Sequence, residues 1–205
     1  MRPRDAATLI IIRDDREVLL GVRSARHVFM PHMYVFPGGR VDVGDGRVAQ
    51  PIRLRPAVSE KLERDVSAHR AGAIAMAAVR ETFEETGLIL GAASETPAAS
   101  RSPAWQPFFA TGLVPALDKL DYVARAITPP NNVRRYDAHF FLCDARHLSG
   151  ELKGNGELED LHWVNIAQAN RLHLSPVTRM MLEVLAERLA STSGEEVGEE
   201  VVFYR

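Results

Sequence analysis

Hydrophobic positions cluster in short blocks along the first forty residues, a pattern that favours β-strands over helices. Residues 7–12 (ATLIII) are rich in β-branched side chains, residues 14–15 are two turn-forming aspartates, and residues 17–22 (EVLLGV) form a second apolar block. These features predict a β-hairpin. A third apolar stretch, residues 33–36, stops at the Pro-Gly-Gly of residues 37–39, which predicts a tight loop after a strand.

A helical pattern follows in the middle of the chain and returns near its end. Helix is predicted from about Ser59 and is clearest at residues 71–86, with Gly87 placed as a C-terminal stop. A second helix is predicted over residues 176–189, with a proline tolerated in its first turn and apolar residues along one stripe.

The remaining segments alternate between strands and loops. Loops are predicted at residues 44–58 and 91–107, and a short helix within residues 105–120. Strands are predicted at residues 121–127, 139–143 and 161–164, and an edge strand or docking segment at residues 201–204. The pattern is mixed α/β, without an internal repeat or a break in composition that would divide it into domains.

Composition and charge narrow the class of protein. The 25 basic and 27 acidic residues give a net charge of −2, which argues against a broad basic nucleic-acid-binding surface. Cys143 is the sole cysteine, so an internal disulfide is excluded. No apolar run approaches the roughly 18 residues of a membrane span, and no signal-peptide core follows Met1. We therefore expect a cytoplasmic protein without nucleic-acid or membrane partners.

The segment at residues 80–88 (RETFEETGL) carries the most informative chemistry. On a helix, Glu81, Glu84 and Glu85 share one face, where their like charges repel and the C-terminal dipole also disfavours them. Carboxylate oxygens suit hard cations, so this face is a candidate site for Mg²⁺ or Mn²⁺. A solvated acidic helix surface is the other interpretation of the same spacing.

Together with the loop at residues 36–40 (FPGGR), these residues resemble the signature of the Nudix hydrolase superfamily, G-x5-E-x7-R-E-U-x-E-E-x-G-U, with U a bulky aliphatic residue. The positions that match in register are Gly39, Arg80, Glu81, Glu84, Glu85, Gly87 and Leu88. Three departures stand out. Asp45 replaces a glutamate, Thr82 replaces an aliphatic residue, and 34 residues rather than 7 separate Asp45 from Arg80.

The resemblance continues beyond the signature. Residues 127–130, 134–142 and 157–164 are similar to a Nudix branch with the same long insertion, which includes a peroxisomal coenzyme A diphosphatase of animals and bacterial relatives. This implies an α/β/α sandwich with a mixed β-sheet. It also implies one domain over residues 1–205, with an insertion at 46–72, where loop entropy grows slowly with length, and a tail at 191–205.

The resemblance implies hydrolysis of a diphosphate linkage in a nucleoside diphosphate derivative. The three glutamates match catalytic residues and ligands of Mg²⁺ or Mn²⁺, which would neutralise phosphate and activate water. Arg80 matches a residue that orients these carboxylates through ion pairs. Asp45 would add a supporting carboxylate if the long loop returns it to the site. Glu157 is the best later candidate for a general base, with Glu159 second.

Coenzyme A or an acyl-coenzyme A is the specific substrate that the sequence suggests. Residues 19–24 and 36–39 fit half of a pattern found in coenzyme A-directed members, and Arg23 and Arg26 are placed to meet phosphate. Both arginines are equally open to interpretation as surface residues at a strand end. The expected substrate-binding residues are Arg23, Gly38, Gly39 and Arg40.

Two other function classes stay open at this point. One is a catalytically silent Nudix-fold module that binds a ligand or regulates, and the other is a structural protein with an acidic surface helix. A nucleotide-type small molecule is the expected partner, and a homodimer is compatible with the sequence. Metal-dependent release of a product would separate the enzyme from both alternatives.

Overall fold

The protein is built around one large mixed β-sheet with helices on both faces. The computed structural model describes residues 2–25, 31–48, 50–95, 100–132, 134–191 and 201–204. The strands are β1 (Arg4–Arg13), β2 (Glu17–Arg23), β3 (Tyr34–Val35), β4 (Gly38–Arg40), β5 (Leu88–Ile89), β6 (Gly91–Ala92), β7 (Val114–Pro115), β8 (Asp121–Ile127), β9 (Tyr136–Asp144), β10 (Ser149–Gly150), β11 (Leu158–Asn165) and β12 (Val202–Tyr204). The helices are α1 (Pro56–Glu63), α2 (Ala68–Thr86), α3 (Gln106–Phe109) and α4 (Pro176–Ser191).

Strand β1 lies near the middle of the sheet, whose order is β11-β2-β1-β9-β8-β12. It runs parallel to β9 and antiparallel to β2, while β8 is antiparallel to β9 and parallel to β12. The last residues of β1 pair with β2, whereas the first half of β1 pairs with β4 on the same edge. The Pro-Gly-Gly loop is thereby held next to the first half of β1, on the edge that β2 leaves open.

The predicted hairpin is confirmed, and its turn has a clear stereochemical cause. Asp14 and Asp15 both adopt a φ of 52°. The Arg16 amide donates to the Arg13 carbonyl, which closes a β-turn whose two central residues are these aspartates. Aspartate tolerates positive φ better than most residues.

Two hydrophobic layers lie on opposite faces of the sheet, because β1 is buried on both of its faces. Leu9 and Ile11 pack with α1 and α2, whereas Ile10 and Ile12 pack with α4. Successive side chains of a strand point to opposite faces, so one apolar strand supplies both layers. The expected α/β/α sandwich with a mixed sheet is confirmed.

The predicted loop over residues 44–58 was partly wrong. A 3-10 turn occupies Asp45–Arg47, and α1 already begins at Pro56, since the fixed φ of proline suits a first helical turn. The helix expected from Ser59 is also two helices, and Ser67 caps the second by accepting a hydrogen bond from the Arg70 amide.

The later strands and the last helix agree with their predicted positions to within a few residues, as do Gly87 as the end of α2 and β12 as an edge strand. The predicted short helix is present at the start of its expected range, as α3 with a preceding 3-10 turn at Pro103–Trp105. In the part of the chain that the structure describes, no helix combines the length and apolar character of a membrane span.

Candidate active site

Helix α2 presents three glutamates near its C-terminal end. Glu81, Glu84 and Glu85 lie in its last two turns, and we call them the acidic face. The helix ends at Gly87 in the left-handed conformation, with φ at 72°, and its amide donates to the Phe83 carbonyl. Glycine suits this position because it adopts positive φ without steric cost.

Glu85 is the most deeply buried member of the acidic face, with 3% of the residue exposed. Its Oε2 accepts a hydrogen bond of 2.7 Å from the Gly38 amide in the Pro-Gly-Gly loop. Desolvation raises the pKa of Glu85 well above its ordinary value, and the charge of Glu81 adds to this, while the Gly38 amide and Arg23 act against it. The interpretation of the acidic residues as a solvated helix surface is therefore wrong for Glu85.

The paired glycines let the loop backbone lie directly against the helix. A Cβ atom at position 39 would be 2.4 Å from the Glu81 carboxyl carbon, and one at position 38 would be 2.5 Å from the Ala7 carbonyl oxygen. No larger residue fits either contact without movement of its surroundings. Burial raises the pKa of Glu81 to about 7, although its ion pair with Arg80 acts in the opposite direction.

Arg80 connects the acidic face to the backbone of Arg40, directly after the Pro-Gly-Gly loop. Its Nη1 donates to Glu81 Oε1 at 2.8 Å and to Glu84 Oε2 at 3.1 Å, and its Nη2 donates to the Arg40 carbonyl at 3.0 Å. Burial alone would lower the pKa of Arg80, but hydrogen bonds with Asp45 and the charges of the surrounding carboxylates raise it. Burial also raises the pKa of Glu84, against the effect of Arg80.

Asp45 is brought back to the site across the long insertion and is fully buried. Its Oδ1 accepts from Arg80 Nε at 2.8 Å and from Trp105 Nε1 at 2.9 Å. Its Oδ2 accepts from Arg80 Nη2 at 3.0 Å and from the Asp42 amide at 2.7 Å. A carboxylate has about four acceptor sites, and all are used here, so Asp45 anchors Arg80 and has no free position for a cation.

Trp105 was not predicted as part of the site. It lies 25 residues beyond Arg80, outside any motif, and the only signal in the sequence is a tryptophan within a Ser- and Pro-rich loop. Such an isolated indole in a polar segment indicates a buried anchor with a hydrogen-bond partner, which is how the structure uses it.

Glu157 and Arg23 lie together beside the acidic face. Arg23 is the last residue of β2 and pairs with Leu158, and the Ser24 amide donates to the Glu157 carbonyl at 3.1 Å. The charge of Glu157 raises the pKa values of Glu84 and Glu85, after the larger effect of burial on each, which places its carboxylate within electrostatic range of both. Glu159 lies in β11 and is exposed.

The predicted substrate-binding residues differ in their position relative to the acidic face. Gly38 and Gly39 lie between β1 and α2, as described above. Arg40 takes part through its backbone carbonyl, which binds Arg80, while the residue itself is exposed. Arg26 lies outside the described residues.

A hard divalent cation fits the chemistry of the acidic face, since its oxygens are the ligands that Mg²⁺ and Mn²⁺ prefer. Burial is the largest cause of the raised pKa values of its members, so the ionised carboxylates are disfavoured there and a cation would stabilise them. As the side chains stand, however, no three acidic, histidine or cysteine residues among those described converge on one point. Glu81 and Glu84 turn to Arg80, and Glu85 turns to Gly38.

Comparison with known proteins gives a consistent result. No family model matches the chain. The acyl-coenzyme A diphosphatase NUDT19 of Gallus gallus is 29% identical over 183 residues, which cover 63% of this chain and 48% of the relative. The chain therefore spans about half the length of the curated relative that it matches.

Solved structures extend the likeness to nearly the whole chain. The structure of a NUDIX hydrolase from Alicyclobacillus acidocaldarius is 26% identical with a TM-score of 0.69, and the match covers 97% of this chain and 99% of the other. A MutT NUDIX hydrolase from Burkholderia pseudomallei has a TM-score of 0.53 at 22% identity, covering 89% of this chain and 98% of its own. The second match supports the fold alone.

Proposed function

Because the chain belongs to the Nudix hydrolase superfamily, we propose that it hydrolyses a diphosphate linkage in a nucleoside diphosphate derivative with the help of Mg²⁺ or Mn²⁺. The observation that carries this proposal is the acidic face of α2, with the backbone of the Pro-Gly-Gly loop packed directly against it. A helix surface with a purely structural role has no need of buried, mutually repelling carboxylates.

Each residue of the site has a role in this reaction. When bound, the cation would neutralise phosphate oxygens and activate the attacking water. Glu81, Glu84 and Glu85 would hold it, and Arg80 restrains the first two of these carboxylates through its hydrogen bonds to them. We assign Glu157 as the residue that accepts a proton from water, since the Ser24 amide holds its backbone beside the end of β2, next to Arg23.

Coenzyme A or an acyl-coenzyme A is the substrate we propose within this class. The likeness to an acyl-coenzyme A diphosphatase supports it, as does the arrangement of residues 19–24 before the Pro-Gly-Gly loop. Arg23 is close enough to Glu85 to affect its pKa, after the larger effects of burial, Glu81 and Gly38, so a phosphate bound beside the acidic face would lie near its guanidinium.

A substrate panel tests the proposal. Purified protein is incubated with coenzyme A, acyl-coenzyme A thioesters, NADH, ADP-ribose and dinucleoside polyphosphates, each with Mg²⁺, Mn²⁺ or EDTA, and the products are separated by chromatography. For coenzyme A we expect adenosine 3′,5′-bisphosphate and phosphopantetheine, formed only with the cation. Binding without any product from the whole panel would favour the silent ligand-binding module instead.

The wider organisation of the protein belongs to the same proposal. We propose one domain over residues 1–205, in which the insertion at 46–72 contributes α1 and the first turn of α2, with a tail at 191–205. A cytoplasmic location and a homodimer complete the proposal. Cell fractionation and light scattering of the purified protein test these two points.

A further inference from the structure

Trp105 donates its indole N–H to the carboxylate that anchors the site arginine. The residue is fully buried, and its Nε1 lies 2.9 Å from Asp45 Oδ1. It reaches this point from the 3-10 turn Pro103–Trp105, which belongs to neither the signature helix nor the Pro-Gly-Gly loop.

We propose that Trp105 is a positioning residue for the acidic face, acting through Asp45 and Arg80. This inference rests on the proposed function of that face as a cation site. The hydrogen bonds form a continuous chain: Trp105 donates to Asp45, Asp45 accepts two bonds from Arg80, and Arg80 Nη1 donates to Glu81 and Glu84.

The indole is itself held in one orientation by aromatic neighbours. Trp105 stacks on Phe109, with ring centroids 5.6 Å apart and planes at 28°, and meets the edge of Phe108 at 5.4 Å. Phe108 in turn contacts Phe83 of α2, with centroids 5.5 Å apart. The aromatic cluster thus ties the direction of the N–H to the same helix that carries the acidic face.

Asp45 needs this fourth donor because of its length and burial. It stands where the signature has the longer glutamate, and its two oxygens are filled only when the indole is included. Without the indole N–H, one acceptor of a buried carboxylate loses its partner. Asp45 is then less firmly held. Because Asp45 accepts two hydrogen bonds from the Arg80 guanidinium, a shift of its carboxylate rotates that guanidinium, which also binds Glu81 and Glu84.

A purely structural role is the competing explanation, since a buried indole N–H generally needs an acceptor of its own. The two explanations differ in what they predict for folded protein. A structural residue changes the fraction folded and the stability, whereas a positioning residue changes cation affinity and turnover in molecules that are already folded.

The test compares Trp105→Phe with Trp163→Phe, which makes the same replacement at a tryptophan on β11 outside the site. For Trp105→Phe we expect about a 10-fold loss in kcat and in Mn²⁺ affinity, measured by the EPR signal of free Mn²⁺, with little change in KM. In the metal-free protein, the ¹⁵N-arginine NMR spectrum should show a shifted or faster-exchanging Arg80 Nε–H. Trp163→Phe should leave kcat, KM, Mn²⁺ affinity and the Arg80 signal unchanged.

A double-mutant cycle with Asp45→Asn identifies the route of the effect. If Trp105 acts through Asp45, adding Trp105→Phe to Asp45→Asn lowers kcat and Mn²⁺ affinity much less than Trp105→Phe does alone. Should Trp105→Phe fold poorly, benzothienylalanine at position 105 replaces the N–H by sulfur with nearly the same shape and is tested in the same assays.

The outcomes separate this inference from the proposed function. Lower stability with unchanged kcat, Mn²⁺ affinity and Arg80 signal would overturn the positioning role while leaving the hydrolase proposal intact. Absence of turnover by the unmodified protein would overturn the hydrolase proposal, and the Mn²⁺ and NMR measurements would still decide the role of Trp105.

Discussion

Helix α2 takes part in two clusters of charged side chains that differ in how well their charges balance. Near its C-terminus, the acidic face and Asp45 surround Arg80. Near its N-terminus, Arg70 enters an ion-pair network at the start of β1 and β9. The members of this ion-pair network are Asp5, Asp65, Arg70, Arg125 and Asp137.

Each member of the ion-pair network contacts a partner of opposite charge, with three carboxylates for two arginines. Arg125 binds Asp137 through two parallel hydrogen bonds of 2.7 and 2.8 Å, and Arg70 pairs with Asp5. Burial alone would raise the pKa of Asp137, but the hydrogen bonds from Arg125 and the nearby positive charges lower it below its ordinary value. A carboxylate with a lowered pKa is stabilised as an anion by its surroundings.

The acidic face behaves in the opposite way, since burial raises the pKa values of all three of its members. The acidic face and Asp45 hold four carboxylates, and a single arginine, Arg80, binds three of them. The closely paired charges of the ion-pair network support the fold. The larger excess of buried negative charge at the acidic face is unfavourable in the protein alone and suits an added cation.

The largest expected effect comes from neutralising the most buried member of the acidic face. Glu85→Gln keeps an oxygen that can accept from the Gly38 amide but removes the charge. We expect turnover to fall about 1000-fold, because a ligand of the cation that would neutralise the reacting phosphate is lost. We expect stability to stay the same or rise, because burial of a repelled carboxylate is relieved.

Steady-state kinetics and thermal unfolding measure these two effects. Added Mg²⁺ should raise the unfolding temperature of the unmodified protein more than that of Glu85→Gln. An unchanged rate in the variant would show that the acidic face is not the cation site.

Neutralising a carboxylate of the ion-pair network should lower stability and leave activity unchanged. Asp137→Asn leaves Arg125 without its bidentate partner in a largely buried position. We expect a loss of about 3 kcal/mol in the free energy of unfolding, because the largely buried guanidinium of Arg125 keeps only its pair with the more exposed Asp65. Urea unfolding measures the loss, and kcat per folded molecule should not change.

Asp65→Asn is the matched control, because Asp65 also pairs with Arg125 but has 47% of its side chain exposed. An exposed pair contributes less than about 1 kcal/mol, so this variant should lose little stability. Equal losses in the two variants would contradict the contrast between a buried pair and an exposed one.

A smaller effect is expected from pH through His139, which lies beside the ion-pair network. Burial lowers the pKa of His139 to about 4, and Asp137 acts against this. Tyr122 is 2.9 Å from its Nδ1. Below about pH 6.5 the unfolded chain binds a proton at His139 that the folded protein does not bind, so this residue lowers stability as pH decreases towards 4, by at most about 3 kcal/mol. The raised pKa values of the acidic face act in the opposite direction, so the effect of His139 is read from the difference between variants.

Urea unfolding at several pH values measures this loss. His139→Gln removes the titrating group, so between pH 6.5 and 4 its stability should fall less, relative to the value at pH 7, than that of the unmodified protein. His162→Gln changes an exposed histidine and should keep the original pH dependence. A slope that is the same in all three proteins would exclude His139 as its source.

Local features of the chain were predictable wherever neighbouring residues decide them. The spacing of Glu81, Glu84 and Glu85 places them on one helix face, Gly87 ends that helix, and the paired glycines predict a tight loop. Helix periodicity and backbone preference act over a few residues, which is why the elements that carry the site were found without a structure.

Contacts between distant segments were not predictable in the same way. Asp45 and Arg80 are separated by 35 positions and Asp45 and Trp105 by 60, yet all three meet in one buried group. The saturation of Asp45, and hence its role as an anchor, depends on donors from three separate segments. No spacing rule within one element reports such a convergence.

The sequence by itself determined the acidic helix face, the glycine loop, the hairpin and the mixed α/β class, because periodicity and turn chemistry are local. Only the tertiary structure decided that Glu85 is buried, that the acceptor sites of Asp45 are filled, and that one of them is filled by the indole of Trp105. Burial and hydrogen-bond partners depend on which distant surfaces pack together. The raised pKa values of the three glutamates in the acidic face therefore arise only in the folded protein.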